Sequence, residues 1–176
     1  MRRPRPDEYD AFYETYVGKV PEGPLAEVLL AAPAALEELL GTLAPADEAF
    51  AYAAGKWTIR EVVGHVLDAE RLFAYRALHF ARADPAALPG MDQHVWAAGS
   101  NAAGRPLPDL LREFRAVREA NAILFASFDE DTLSRRGVAS GCEFTVRALI
   151  HIVAGHELHH REVLAERYSG ALSRQA

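Results

Sequence analysis

Apolar residues recur at intervals of three and four along most of this chain, and that spacing restricts the fold to a helical one. Residues spaced in this way share one face of an α-helix. The spacing marks four long segments: Leu25 to Leu43, Ile59 to about Ala83, Leu107 to Phe128, and Thr145 to Tyr168. Clusters of Val, Ile and Thr at a spacing of two, which would indicate strands, are few. The sequence therefore predicts an all-α fold built on four main helices.

The remaining segments predict how these helices are connected. A chain of 176 residues is most simply a single domain that spans all of it. Aromatic residues at helical spacing predict a short helix from Asp7 to Val17, whereas residues 1–6 and 169–176 are expected to be loose tails. Asp84 to Pro106 contains several prolines and glycines, so we expect a long loop between the second and third main helices.

Charge, hydropathy and cysteine content exclude several classes of protein. The net charge of −6 provides no basic surface for nucleic acid. The longest apolar run, Leu25 to Leu40, is interrupted by charged residues, so no membrane span is expected. Acidic and aromatic residues follow the basic N-terminus, which argues against a secretory signal and makes the cytoplasm the expected location. The single cysteine, Cys142, excludes an intrachain disulfide and a cysteine-only metal site, and its loop position favours a plain thiol over a nucleophile.

Three of the seven histidines lie in a single stretch of five residues, within the last predicted helix. His156 and His160 are four positions apart, so both imidazoles lie on one helix face and can share a metal ion. With Glu157 they also form the H-E-x-x-H pattern of zinc peptidases, in which the glutamate is the general base. No histidine follows His160, so the third ligand of a peptidase is missing and that interpretation is disfavoured. The histidines could simply occupy a helix face, but an i,i+4 pair inside an apolar stripe favours a metal site.

A third ligand would have to come from an earlier helix. His65 lies about two turns into the second main helix among apolar positions, so packing of the two helices would bring it to the pair. His159 lies three residues after His156 and is expected to line the same cavity. The carboxylates that would orient the imidazoles from outside are Glu61, Asp68 and Glu157. Three histidines are weaker candidates, because of their positions near a helix end, in a loop and on another helix face: His79, His94 and His151.

Several stretches of the sequence resemble the DinB-like superfamily. The two that carry the resemblance are Lys56 to Arg71, which includes Lys-Trp-Thr-Ile-Arg-Glu, and Ala154 to His160. Tyr9 to Glu22, Phe73 to Leu78 and Leu88 to Asp92 are also similar to the family. The resemblance thus covers nearly the whole chain.

The resemblance implies a four-helix up-down-down-up bundle and a divalent-metal site with one histidine from the second main helix and two from the last. Transferred to this sequence, these ligands are His65, His156 and His160. The resemblance further implies a homodimer, and an activity like that of thiol-dependent S-transferases that use bacillithiol, mycothiol or glutathione, or of maleylpyruvate isomerases. Two departures from the family pattern are Ala54, where relatives often have proline, and His94 in the long loop. Neither removes a ligand.

Three neutral imidazoles leave coordination positions open on a divalent metal such as zinc, nickel or manganese. A low-molecular-weight thiol bound there would lose its proton at neutral pH. We therefore predict a metal-dependent transferase that adds such a thiol to an electrophilic small molecule. One alternative is a non-catalytic, stress-related metal-binding dimer, which a fourth ligand from His159 or Asp68 would favour. Another is a metal-dependent hydrolase or isomerase.

Overall fold

The computed structural model describes residues 1–172. Its helices, in chain order, are α1 (Glu14–Val17), α2 (Leu25–Leu40), α3 (Ile59–Ala81), α4 (Gln93–Gly99), α5 (Leu107–Ala126), α6 (Glu130–Ser134), α7 (Val146–Arg167) and α8 (Ser169–Leu172). Two short strands, β1 (Arg136–Ala139) and β2 (Cys142–Thr145), form an antiparallel hairpin before α7. The predicted main helices correspond to α2, α3, α5 and α7, so the all-α prediction is confirmed. None of the helices in this part of the chain combines the length and apolarity needed to cross a membrane.

Hydrogen bonds at the helix ends show the direction of three of the bundle helices. The Glu48 carboxylate accepts from Arg60 Nε (2.7 Å), at the start of α3, and from the backbone N–H of Leu107 (3.1 Å), at the start of α5. Helices α3 and α5 therefore run in the same direction. The Tyr168 hydroxyl, just after α7, donates to the Trp57 carbonyl, just before α3 (2.7 Å), so α7 runs in the opposite direction.

The long connection between α3 and α5 allows these consecutive helices to be parallel. Helix α2 is antiparallel to α5, since Glu37 near the end of α2 pairs with Arg115 in the first half of α5 (2.6 Å). The bundle is therefore up-down-down-up, as predicted. The connection is not the plain loop that the sequence suggested, because it contains α4. Asp92 starts α4 by accepting hydrogen bonds from two backbone N–H groups, that of His94 among them (2.8 Å).

The β-hairpin lies where the sequence predicted only a connector. Its turn residues, Ser140 and Gly141, both have positive φ (55° and 76°), as a two-residue type I′ turn requires. Each strand has four residues, too few for an alternating pattern to be recognised in the sequence. Cys142 pairs with Ala139 in this hairpin and is thus a strand residue rather than a loop residue.

The chain ends are better packed than the sequence predicted. The Arg3 guanidinium donates to the Val17 carbonyl (2.9 Å), which fastens residues 1–6 to the bundle instead of leaving a loose tail. The short N-terminal helix is confined to α1, because two 3-10 turns precede it. At the other end, α8 packs with Ala171 buried, and the rest of the expected tail, residues 173–176, lies outside the described residues.

A polar layer divides the apolar core into two parts. One apolar cluster surrounds the second half of α3 and the first half of α7 and includes Phe73 and Leu149. The other surrounds the first half of α3 and the end of α7 and includes Val63 and Leu164. Between the two clusters, the helices bury the polar side chains of His65, Glu70, Arg118, His156 and Glu157.

The Glu70–Arg118 ion pair provides polar partners for part of this layer. Arg118 is fully buried, and its Nη2 donates to Glu70 Oε2 (2.7 Å). The side-chain amide of Asn121 donates to the other Glu70 oxygen (3.0 Å). The guanidinium also lies over the Phe114 ring, 5.0 Å from its centroid. These contacts join α5 to α3 at the level where apolar packing is interrupted.

We expect Arg118→Leu to lower the free energy of unfolding by about 3–5 kcal/mol, because it leaves the Glu70 carboxylate buried without its cation. The double variant Glu70→Leu/Arg118→Leu removes both charges and should be more stable than the single variant. Urea titrations followed by circular dichroism measure both effects. Equal or greater destabilisation of the double variant would show that the loss comes from altered packing and not from the unpaired charge.

Candidate metal centre

The bundle brings together the three histidines selected from the sequence. His65 lies on α3, whereas His156 and His160 lie one turn apart on α7, and one ring nitrogen from each falls within 4.8 Å of the others. His65 Nε2 and His156 Nε2 are 3.2 Å apart. Two nitrogens bound to one tetrahedral metal at about 2.0–2.1 Å would be separated by about 3.3 Å, so the observed distance fits a shared ion.

Burial keeps these three imidazoles uncharged. It lowers the pKa of His65 to about 4 and the pKa of His160 to about 3, and it lowers the pKa of His156 well below its usual value. The neighbouring imidazoles add to the effect at His156 and His160. Because a neutral imidazole is the form that binds a metal, the donor set fits a divalent transition metal at neutral pH.

Two glycines allow neighbouring segments to approach the cluster closely, and each comes directly before one of its histidines. A Cβ at Gly64 would lie 2.5 Å from the Cβ of Ala102, in the 3-10 turn before α5. A Cβ at Gly155 would lie 2.0 Å from the carbonyl oxygen of Tyr16, in α1. Any larger residue at either position would displace the segment that packs there.

Aromatic rings hold two of the imidazoles in place. The Trp57 indole lies against His65, with the ring centroids 4.9 Å apart. Tyr16 meets the His156 ring edge-on at 5.2 Å, and Phe73 contacts the same ring at 5.9 Å. Sequence reasoning did not identify these residues as part of the site. The one signal that could have revealed them is their position within the stretches that resemble the family.

A cavity of about 610 Å³ opens beside His65 and His156. Asp92 and Gln93 contribute polar groups to it, but most of its wall is aromatic or apolar. We call it the aromatic cavity, and its wall includes Phe12, Tyr13, Tyr16, Ala69, Phe73 and Met91. A small apolar molecule in this cavity would lie next to the histidine cluster.

Two of the carboxylates expected to orient the imidazoles have other contacts. Glu61 completes the capping box of α3, where its Oε2 accepts from the Thr58 backbone N–H (2.7 Å) and from the Thr58 hydroxyl (2.8 Å). Asp68 is half-buried, and this burial raises its pKa, while its charged neighbours are Arg71 and Glu113. The contacts described for these two carboxylates do not involve the three rings.

Glu157 is turned into the bundle and does not line the aromatic cavity. It is 2% exposed, and its Oε1 lies 3.2 Å from Arg161 Nε. Burial raises the pKa of Glu157 to about 7, an effect that Arg161 and Arg118 oppose. The residue therefore lacks the position that the general base of an H-E-x-x-H peptidase requires.

The other four histidines lie outside the cluster. His159 borders it, with its ring centroid 5.0 Å from that of His160. His79 and His151 each have a ring nitrogen within hydrogen-bond distance of a backbone carbonyl, at 2.9 and 3.0 Å. His94, which the sequence placed in a loop, lies on α4.

This arrangement, an up-down-down-up bundle in which two buried histidines and one half-buried histidine meet beside a cavity, defines a class of helical bundles with a candidate metal site. Comparison with known proteins specifies the class further. The sequence pattern of the DinB superfamily matches residues 29–164, and the chain belongs to that superfamily.

Among solved structures, the chain is similar to YfiT from Bacillus subtilis, which is described as "a probable metal-dependent hydrolase with an unusual four-helix bundle topology". The two sequences are 18% identical. The match covers 99% of this chain and 93% of that chain, with a TM-score of 0.76. The likeness shows the shared fold. No curated protein matches the sequence.

We expect His65→Ala, His156→Ala and His160→Ala each to abolish zinc or nickel binding or to weaken it at least about 100-fold, because each removes one of three donors. The matched controls His79→Ala and His151→Ala replace imidazoles outside the cluster and should bind metal normally. Competition with a chromophoric chelator gives the affinities, and elemental analysis gives the occupancy. Full metal occupancy of the His65→Ala variant would show that the proposed set of three ligands is wrong.

The buried His151 should make the protein less stable in acid. Burial lowers its pKa from 6.5 to about 4. The unfolded state therefore gains a proton more readily than the folded state as the pH falls from 6.5 towards 4, and the free energy of unfolding decreases over that range. We expect His151→Leu to reduce this decrease by up to about 3 kcal/mol. Urea titrations across the range test this, and an unchanged pH dependence in the variant would contradict it.

Proposed function

We propose that His65, His156 and His160 hold one divalent transition metal and that the protein uses it to join a low-molecular-weight thiol to an electrophilic small molecule. The observation that carries this proposal is the convergence of three uncharged imidazoles, of which the buried His65 and His156 line the aromatic cavity and His160 is half-buried. Such a donor set suits zinc, nickel or manganese and leaves coordination positions open. The family resemblance supports a homodimer as the assembly.

The surroundings of the cluster favour a catalytic metal over a purely structural one. A structural zinc site is normally closed by four protein ligands. Within residues 1–172, the group of potential ligands that comes together consists of the three histidines, and neither Asp68 nor His159 joins it. The adjoining cavity is large enough for a small molecule. These features favour an enzyme over the non-catalytic metal-binding dimer.

The position of Glu157 favours thiol transfer over hydrolysis. Activation of water by the H-E-x-x-H pattern requires a carboxylate base close to the metal, and Glu157 is instead held against Arg161 inside the bundle. A thiol that binds a metal loses its proton without such a base. Because YfiT is described as a probable metal-dependent hydrolase, hydrolysis is the second candidate for this chain.

A bound divalent metal would lower the pKa of the thiol and so supply a thiolate at neutral pH. In the reaction, the S–H bond breaks and its proton passes to solvent. The sulfur forms a bond to the electrophilic carbon while the leaving group departs with its electron pair. The residues of the chain act by position, because Tyr16, Phe73 and Met91 line the space in which the electrophile would lie beside the histidines.

The experiment is a turnover assay of protein loaded in turn with zinc, nickel and manganese, with and without a panel of thiols that includes glutathione and bacillithiol. We expect about one metal per chain and product formation that requires both metal and thiol. Cys142→Ser should retain the activity, because no cysteine of the chain takes part, whereas His65→Ala should lose it.

Each other outcome points to a different function. Turnover without any thiol would replace the transferase with a hydrolase. Metal binding without turnover under any thiol would favour the non-catalytic protein. Loss of activity in a folded Cys142→Ser variant would place the nucleophile on the chain itself.

A further inference from the structure

The histidine cluster borders a second cavity, which meets it at His160. This cavity has a volume of about 210 Å³ and lies between the start of α3, the end of α7 and α4. We call it the polar cavity, and its wall includes Tyr52, Lys56, Trp57, His94, His160 and Tyr168. Gln93 lines both cavities. The cluster is therefore in contact with two cavities, an arrangement that suits a reaction between two substrates.

The two cavities differ in chemistry. The aromatic cavity contains the Asp92 carboxylate, whose pKa is lowered by the backbone N–H groups that it accepts from, so it carries a negative charge. Lys56 lines the polar cavity, and no carboxylate is among the described residues that line it. The chain as a whole has a net charge of −6, so a cavity wall with a cationic residue and no carboxylate differs in charge from the chain as a whole. An anionic group would be favoured in the polar cavity and disfavoured in the aromatic one.

The Lys56 ammonium is available to a ligand. Within the described part of the chain it has no ion-pair partner, and the residue is exposed. The backbone beside it is fixed, since the Tyr168 hydroxyl donates to the Trp57 carbonyl (2.7 Å). The Trp57 indole contacts both the His65 ring (centroids 4.9 Å apart) and the His94 ring (5.7 Å apart). This wall thus connects the cationic group to the histidine cluster.

We propose that the polar cavity is the subsite for the thiol cosubstrate, and that this cosubstrate carries at least one carboxylate, which Lys56 and His94 bind. The aromatic cavity then receives an apolar electrophile, and the two molecules meet at the histidine cluster. This inference rests on the proposed thiol transfer. It adds the chemical class of the thiol and the location of each substrate.

The test uses Trp57 as a built-in reporter. The chain has two tryptophans, and Trp96 is 43% exposed and lines neither cavity, so a Trp96→Phe background leaves Trp57 as the single emitter. In zinc-loaded protein, titration with glutathione should change the Trp57 emission and saturate. The dimethyl ester of glutathione keeps the thiol but lacks the carboxylates, and should bind about 3- to 10-fold more weakly.

Variants on the two walls then separate the subsites. Lys56→Ala should raise the Kd for glutathione about 3- to 10-fold and leave the Kd for the ester unchanged, and Lys56→Arg should restore most of the affinity. Met91→Ala changes the aromatic cavity and should leave the glutathione Kd unchanged, while raising the KM for an aryl halide acceptor.

Equal affinity for glutathione and its ester, or a glutathione Kd that is insensitive to Lys56→Ala, would overturn the subsite assignment even if thiol-dependent turnover is found. A Lys56-dependent Kd without turnover under any thiol would uphold the carboxylate subsite and refute the transferase reaction. The binding titration therefore distinguishes the failure of this inference from the failure of the proposed function.

Discussion

The structure depends on a layer of buried polar groups across the middle of the bundle. Buried polar and charged side chains are costly unless each finds a partner. Glu70 accepts a hydrogen bond from Arg118 on another helix, and the ring nitrogens of His65 and His156 lie within hydrogen-bond distance across two helices. Helices α3, α5 and α7 must therefore keep one relative position, whereas apolar contacts alone would tolerate several. The same restriction holds three imidazole nitrogens close together before any ligand arrives.

Close backbone approach complements this layer. Gly64 and Gly155 present no side chain where the turn at Ala102 and the carbonyl of Tyr16 come against the long helices. The N-terminal segment and the connection before α5 thereby become walls of the site instead of remaining on the periphery. Helix α7 supplies two of the three imidazoles and buries Glu157 in the same turn, so adjacent residues serve the cluster and the core respectively.

Sequence patterns predicted the main helices because their signals are local. The capping box of Thr58 and Glu61 and the spacing of His156 and His160 each lie within about one helical turn. The convergence of His65 with that pair could be anticipated only by assuming that the two helices pack together. Features set by contacts between distant segments were not predicted, such as the Trp57 ring on His65 and the orientation of Glu157 towards Arg161. The hairpin was missed because its strands are too short to show a period.

The connection that permits parallel α3 and α5 also supplies Met91 and Asp92 to one cavity, His94 to the other and Gln93 to both. The three clustered histidines, by contrast, lie on long helices whose positions the core determines. Changes of sequence or length in this connection would therefore reshape both cavities while the histidine cluster stays in place. Ligand selectivity and the histidine site can therefore diverge independently in this fold, because this connection contributes residues to both cavity walls but little to the apolar core.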